Sequence, residues 1–223
     1  MEGTCIEMKS VLLNYLDNIM PHMEGWCSRE KADALVKRVQ ADKPDFIVEI
    51  GVFAGRSLLA MALAAHVNGN GKVLGIDPWS IDASTQGFAP EDPNHNWWSN
   101  VVNHDYIYDR CVQFMKELGL KERVILCKGT SEHSLPGLLA AKEITGGPFI
   151  GMLHVDGNHS EGCSTFDVEN YVPLVVPGGH VVFDDVNWET TKKAQTMLDE
   201  LCDFEEFVEE EGQKCAFYRR KLA

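Results

Sequence analysis

The richest chemistry in this chain lies in two apolar runs that end in acids, Leu153-His154-Val155-Asp156-Gly157-Asn158-His159-Ser160 and Val181-Val182-Phe183-Asp184-Asp185-Val186-Asn187. Ligands of open α/β sheets collect outside the carboxyl ends of the strands, so Asp156, Asp184 and Asp185 are expected to converge there. Three carboxylates gathered that closely need a cation, and oxygen ligands at a partly hydrated site suit Mg2+, Mn2+ or Ca2+ better than zinc. Such an ion would hold a substrate hydroxyl, lower its pKa and fix the oxygen for attack. The plainer alternative leaves Asp156 to a cofactor and lets Asp184 and Asp185 cap a turn.

A second motif, Val48-Glu49-Ile50-Gly51-Val52-Phe53-Ala54-Gly55-Arg56-Ser57, ends a strand, turns on two glycines and opens a helix. Gly51 allows close approach to the backbone, and the helix N-terminus presents free N–H groups. The pattern is E-x-G-x-x-x-G, not the G-x-G-x-x-G of dinucleotide sites, which disfavours a nicotinamide enzyme. A carboxylate just before the glycine suits an ammonium group. The next strand ends Leu74-Gly75-Ile76-Asp77, where an acid can accept both ribose hydroxyl protons. After the third strand comes Gly129-Thr130-Ser131-Glu132, in which Ser131 is equally suited to cap the following helix.

Over roughly residues 46–185 these motifs resemble the class I S-adenosylmethionine-dependent methyltransferases. The resemblance implies Glu49, Gly51, Phe53 and Ser57 on the methionine side of the cofactor, Asp77 on its ribose, Ser131 beside adenine, and Asp156 at the sulfonium end. The order Asp…Asp-Asp, with Pro177-Gly178-Gly179 between, is similar to the metal-dependent O-methyltransferases of the catechol and the macrolide or aminocoumarin sugar types. That likeness implies Asp156, Asp184 and Asp185 as ligands of Mg2+. The catechol type carries its base three residues after the first metal aspartate, here His159; the sugar type carries it two residues after, here Asn158, which cannot take a proton. His159 is therefore the expected base, with a rate that rises through the neutral range, and His154 a satisfied core residue. The expected reaction moves a methyl group from S-adenosylmethionine to an oxygen of a small-molecule acceptor. Metal-independent N- or carboxyl-methylation and a non-catalytic cofactor-binding protein are the alternatives.

Positioning these residues takes a parallel sheet. Short β-rich apolar runs alternate with amphipathic stretches, which predicts an α/β fold: a Rossmann-like, seven-stranded, mostly parallel sheet with helices on both faces. Strands are expected at Phe46–Ile50, Lys72–Ile76, Val124–Cys127, Ile150–Val155 and His180–Phe183, then an antiparallel hairpin of Glu205–Glu210 and Cys215–Arg219 turning at Glu211-Gly212-Gln213. Helical spacing predicts helices over 4–20, from the Ser28 cap onward, over Leu58–Ala65, near 99–118 and near 189–201. Residues 1–42 read as a helical cap and 43–223 as the catalytic domain, with a polar insert at about 80–103 that reads as a lid over the acceptor, Trp97 or Trp98 packing on it.

With 44% hydrophobic and 24% charged residues the chain should fold. A net charge of −14 without a basic block excludes nucleic acid and anionic membrane as partners. A small molecule fits better, and a homodimer is left open. No apolar run nears the roughly 18 residues a membrane span needs and no signal pattern is evident, so a cytoplasmic placement is expected. Seven scattered cysteines without C-x-x-C read as reduced thiols, mostly packing.

Overall fold

The alternation of apolar runs and amphipathic stretches folds as a seven-stranded sheet in a computed structural model that describes residues 12–210 and 212–222. The strands are β1 (Phe46–Ile50), β2 (Lys72–Asp77), β3 (Val124–Lys128), β4 (Ile150–Val155), β5 (Val175–Phe183), β6 (Cys202–Glu210) and β7 (Gln213–Arg220), in the spatial order β3-β2-β1-β4-β5-β7-β6. β3, β2, β1, β4 and β5 run parallel, while β7 pairs antiparallel with β5 and β6. The chain leaves β1 toward β2 on one side and returns to β4 on the other. This reversal opens a crevice at the carboxyl ends of β1 and β4.

Side chains alternate across a strand, so the sheet has two apolar faces. Ile47, Met152, Val182 and Phe217 look toward one cluster, and Val48, Ile50, Leu153, Val181 and Phe183 toward the other. The first face is covered by α1 (described over 12–19), α2 (Arg29–Asp42), α3 (Arg56–Asn68) and, beyond the short α4 (Ile81–Ser84) and α5 (Pro93–Asn100), by α6 (His104–Glu117). The second is covered by α7 (Ser131–Thr145), α8 (Glu161–Tyr171) and α9 (Lys192–Leu201). Leu16, Leu35, Val36 and Val39 of α1 and α2 are fully buried beside Leu58 and Leu59 of α3, so these N-terminal helices share the core of the sheet. Each such side chain contributes about 1.5–3 kcal/mol by leaving water.

Several boundaries differ from the sequence expectation. The single helix expected near 99–118 is two, α5 and α6, because Asp92 accepts the Asn94 N–H at the start of one, with Pro93 in its first turn, and Asn103 accepts the Tyr106 N–H at the start of the other. The 80–103 insert is thus partly helical. β5 starts five residues before His180, since Pro177-Gly178-Gly179 lies within the strand beside an irregular register. β6 starts three residues before Glu205, directly where α9 ends. Thr130, not Ser131, caps α7, its side chain accepting the His133 N–H. The first part of the 4–20 helix and Glu211 of the hairpin turn lie outside the described residues. The six described cysteines are free, and among the described residues no helix is long and apolar enough to cross a membrane.

The crevice depends on Gly51. Its φ is +83°, and a β-carbon there would lie 1.8 Å from the carbonyl oxygen of Asp156. Its N–H donates to the Ile76 carbonyl at 2.9 Å while the Asp156 N–H donates to Ile50 at 2.8 Å, so both strand ends are pinned around that contact. The glycine is needed for strand-to-strand approach before any ligand arrives. Gly51→Ala is expected to destabilise the fold by more than about 2 kcal/mol, read as a lowered urea midpoint; an unchanged midpoint would show that the turn has room to move.

Candidate active site

A cavity of about 430 Å³ opens at the carboxyl ends of β1, β2, β4 and β5. Of the residues singled out from sequence, Gly51, Phe53, Ser57, Asp77, Ser131, Asp156, His159, Asp184 and Asp185 all border it. Glu49 does not. Strand alternation turns it away from the crevice toward the α2–α3 face, where it is completely buried and its Oε1 shares a 2.7 Å hydrogen bond with Nδ1 of His154, its cross-strand partner. Glu49 thus stands behind the cavity wall, where one oxygen meets an imidazole and Oε2 has no hydrogen-bond partner among the described residues. His154 is buried as expected, but its Nε2 has no hydrogen-bond partner among the described residues and lies 3.9 Å and 3.8 Å from the carboxylates of Asp156 and Asp184.

Asp77 braces the glycine turn. Its Oδ2 accepts the N–H groups of Val52 and Phe53 at 3.0 and 2.9 Å, and its Oδ1 accepts that of Trp79 at 2.7 Å, leaving one lone pair of Oδ1 without a donor among the described residues. Burial nonetheless raises the Asp77 pKa against these three bonds. Phe53, Trp79 and Asp185 have φ of +50°, +42° and +49°. Non-glycine residues rarely adopt this region; of the four described residues that do, these three border the cavity and the fourth, Lys43, caps the end of α2.

The three aspartates do converge, but a side chain from far away meets them. Lys31, in the first turn of α2 and only 5% exposed, donates from Nζ to Asp156 Oδ2 at 3.1 Å and to Asp184 Oδ2. Burial pulls the Lys31 pKa down, yet Asp156 and Asp184 outweigh it and hold the ammonium well above the ordinary lysine value. Burial would raise Asp184, but Lys31 and His154 hold it below the usual carboxylate range. Asp156 is pushed well up by burial and then by Asp184.

A divalent ion on the same two oxygens would have to compete with the ammonium for their lone pairs and would be repelled by it. With Lys31 on Asp156 Oδ2 and Asp184 Oδ2, that pair of oxygens does not fit the expected Mg2+; Asp156, His159 and Asp185 form a separate group whose ligand atoms lie within 4.8 Å of one another.

Asp185 points elsewhere. Its Oδ2 lies 3.2 Å from His159 Nε2, and the His159 ring packs on Trp188 with centroids 5.0 Å apart. Burial pushes the imidazole down to about 4 against the pull of Asp184, while burial and the neighbouring Asp184 push Asp185 up to about 7. Sequence reasoning missed Lys31, Trp188 and Asp167. Asp167, on α8, borders the cavity near Ser131, is 2% exposed, and is pushed up to about 7 by burial. Lys31 left a signal: it sits one turn before Leu35, on the margin of the apolar stripe of α2, where a lysine is out of place.

Residues 48–186 match the model of a family described as a methyltransferase domain. The chain belongs to this methyltransferase family. Its sheet order and the crevice at the strand ends are those of the Rossmann-like methyltransferase fold. No curated protein sequence matches the chain. Among solved structures it is similar to a calicheamicin methyltransferase (19% identity, TM-score 0.62, covering 96% of this chain and 91% of that one). It is also similar to an O-methyltransferase of tomaymycin synthesis from Streptomyces achromogenes, in complex with S-adenosylmethionine (17%, 0.61, 96% and 89%), and to an O-methyltransferase from Bacillus cereus in complex with S-adenosylhomocysteine (14%, 0.60, 94% and 91%). At these identities the likeness is one of fold.

The methyltransferase covers its cavity with aromatic groups from two segments distant in sequence. Trp26, before α2, packs on Phe53 and on Trp97 with centroids 5.2 Å apart in each case, and Trp97 packs edge-on to Trp98 at 4.8 Å. Trp98 and Trp26 border the cavity, whereas Trp97 stands behind them. Asn158, in the position where a sugar-type enzyme carries its base, is bound up in the structure instead. Its Nδ2 donates to the carbonyls of Ala83, Ser84 and Gln86, and its Oδ1 accepts the Ser160 N–H at 2.8 Å. It ties the 80–103 insert to the end of β4. Asn158→Ala is expected to speed proteolysis within 80–103 while lowering global stability by less than about 2 kcal/mol; an unaltered cleavage pattern would show that the lid is held by its aromatic contacts alone.

Proposed function

We propose that this methyltransferase acts on an oxygen of a small-molecule acceptor, with His159 as the base and Asp185 as the group that orients it. The observation that carries the reading is the His159–Asp185 pair, 3.2 Å apart on the cavity wall beyond β4 and β5, beside the glycine turn. In this reading Gly51, Phe53 and Ser57 receive the methionine part of the cofactor and Asp156 stands near its sulfonium. The free lone pair of Asp77 takes a ribose hydroxyl, and Ser131 with the buried Asp167 faces adenine.

The acceptor hydroxyl gives its proton to the imidazole as its oxygen attacks the methyl carbon and the carbon–sulfur bond breaks. The products are a methyl ether, S-adenosylhomocysteine and an imidazolium that returns its proton to solvent. Much of the rate comes from alignment, because the methyl group transfers in line with the departing sulfur. Phe53, Phe88, Trp26, Trp98 and Trp188 wall the cavity, which favours a flat, apolar acceptor body. The mechanism needs no metal on Asp156 and Asp184, where Lys31 already holds one oxygen of each.

The pH dependence follows from the pair. Above about 7 an ionised Asp185 accepts Nε2–H and leaves Nδ1 free as the base; below it, a protonated Asp185 donates to Nε2 and the ring presents N–H at Nδ1. The rate should therefore rise through neutrality, as the sequence suggested, but with Asp185 and not His159 setting the midpoint. His159→Ala should lower kcat by about 10²–10⁴ with cofactor binding retained, and Asp185→Asn should remove the neutral limb. Turnover with hydroxylated aromatic acceptors and labelled cofactor is the measurement; full activity of His159→Ala, or methyl groups found only on nitrogen, would refute the proposal.

A further inference from the structure

The acid cluster and α2 are explained together by one arrangement. Helix first turns disfavour cations, because the macrodipole is positive there, yet Lys31 occupies the first turn of α2. The turn is fixed: Ser28 Oγ accepts the Lys31 N–H at 3.0 Å, and Ala32, Leu35, Val36 and Val39 are fully buried against the sheet. The side chain runs inward among Cys27 and Cys215, both buried, and ends on Asp156 and Asp184. Lys31 does not itself border the cavity. Behind the acids, Glu49 holds His154 at 2.7 Å with its free Nε2 toward the same two carboxylates.

We infer that Lys31 is the built-in counter-ion of this active site, standing where a divalent cation would otherwise bind, so that Asp156 and Asp184 are held in place without metal. Lys31 is a positioning residue, acting through two carboxylates that face the ligand. A lysine serves here because its ammonium can bridge two carboxylates while the remainder of its stem packs among apolar groups. Removing it would leave two adjacent buried acids short of a cation, which is the composition of an oxygen-rich divalent site. The inference depends on the proposed methyl transfer only for its catalytic consequence, since the ion pairing is a property of the free protein.

The test is titration of the full-length chain with Mn2+, without cofactor or acceptor, followed by the paramagnetic resonance signal of free Mn2+. Wild type should leave that signal undiminished, and dialysis against EDTA should leave its turnover unchanged. Lys31→Met should take up one Mn2+ per chain at least about tenfold more tightly than wild type, and adding Asp184→Asn should abolish the uptake. Lys31→Gln provides a second neutral variant, and circular dichroism reports whether each is folded. Stoichiometric Mn2+ uptake by wild type that Asp184→Asn removes would overturn the inference whatever the variants do, as would a folded Lys31→Met or Lys31→Gln that binds none. If no acceptor oxygen is ever methylated while the Mn2+ results hold, the acceptor reading fails and the lysine counter-ion stands.

Discussion

No β-carbon fits on residue 51, because the carbonyl of Asp156 fills that space. The contact joins the ends of β1 and β4 where the chain reverses direction across the sheet, and the rest of the site is arranged about it. Below the contact the paired strands bury Glu49 against His154; above it they open, and the turn that follows Gly51 is held by the carboxylate of Asp77. On the side of the glycine turn the cavity is lined by backbone held by hydrogen bonds to Asp77. On the opposite side the cover is made of aromatic rings from the Trp26 segment and the insert.

Bringing strand ends together also brings acids together, and the low dielectric of a covered crevice makes their repulsion costly. Asp184 stays ionised beside Lys31, Asp156 is driven toward its neutral form, and Asp185 turns to His159. One cluster of three similar residues thereby takes three protonation characters. The difference comes from partners on other elements: a lysine of α2, a histidine of β4, and the loop histidine after it.

Much of the fold was legible because its signals are local. A strand shows itself through a run of apolar and β-branched residues, a helix through spacing, and the hairpin through glycine between extended runs. The places where sequence reasoning slipped are places where a local signal was outweighed or overlooked. Asp92-Pro93 and Asn103 start two helices where periodicity suggested one, and the glycines within β5 concealed its first half. In the site, the residues on loops after β1, β2, β4 and β5 were found because strand ends point to them. Glu49 was misread because the motif names a residue type without naming the face of the sheet on which it lies.

The order of apolar runs, the glycine turn and the acids at strand ends were determined by the sequence alone, since each depends on neighbours a few positions away. Only the tertiary structure decided what those acids meet. Lys31 and Asp156 are 125 positions apart, and Lys31 and Asp184 are 153 apart, so no pattern along the chain joins them. They meet because α2 buries its apolar stripe on one face of the sheet, and that docking carries the ammonium to the crevice.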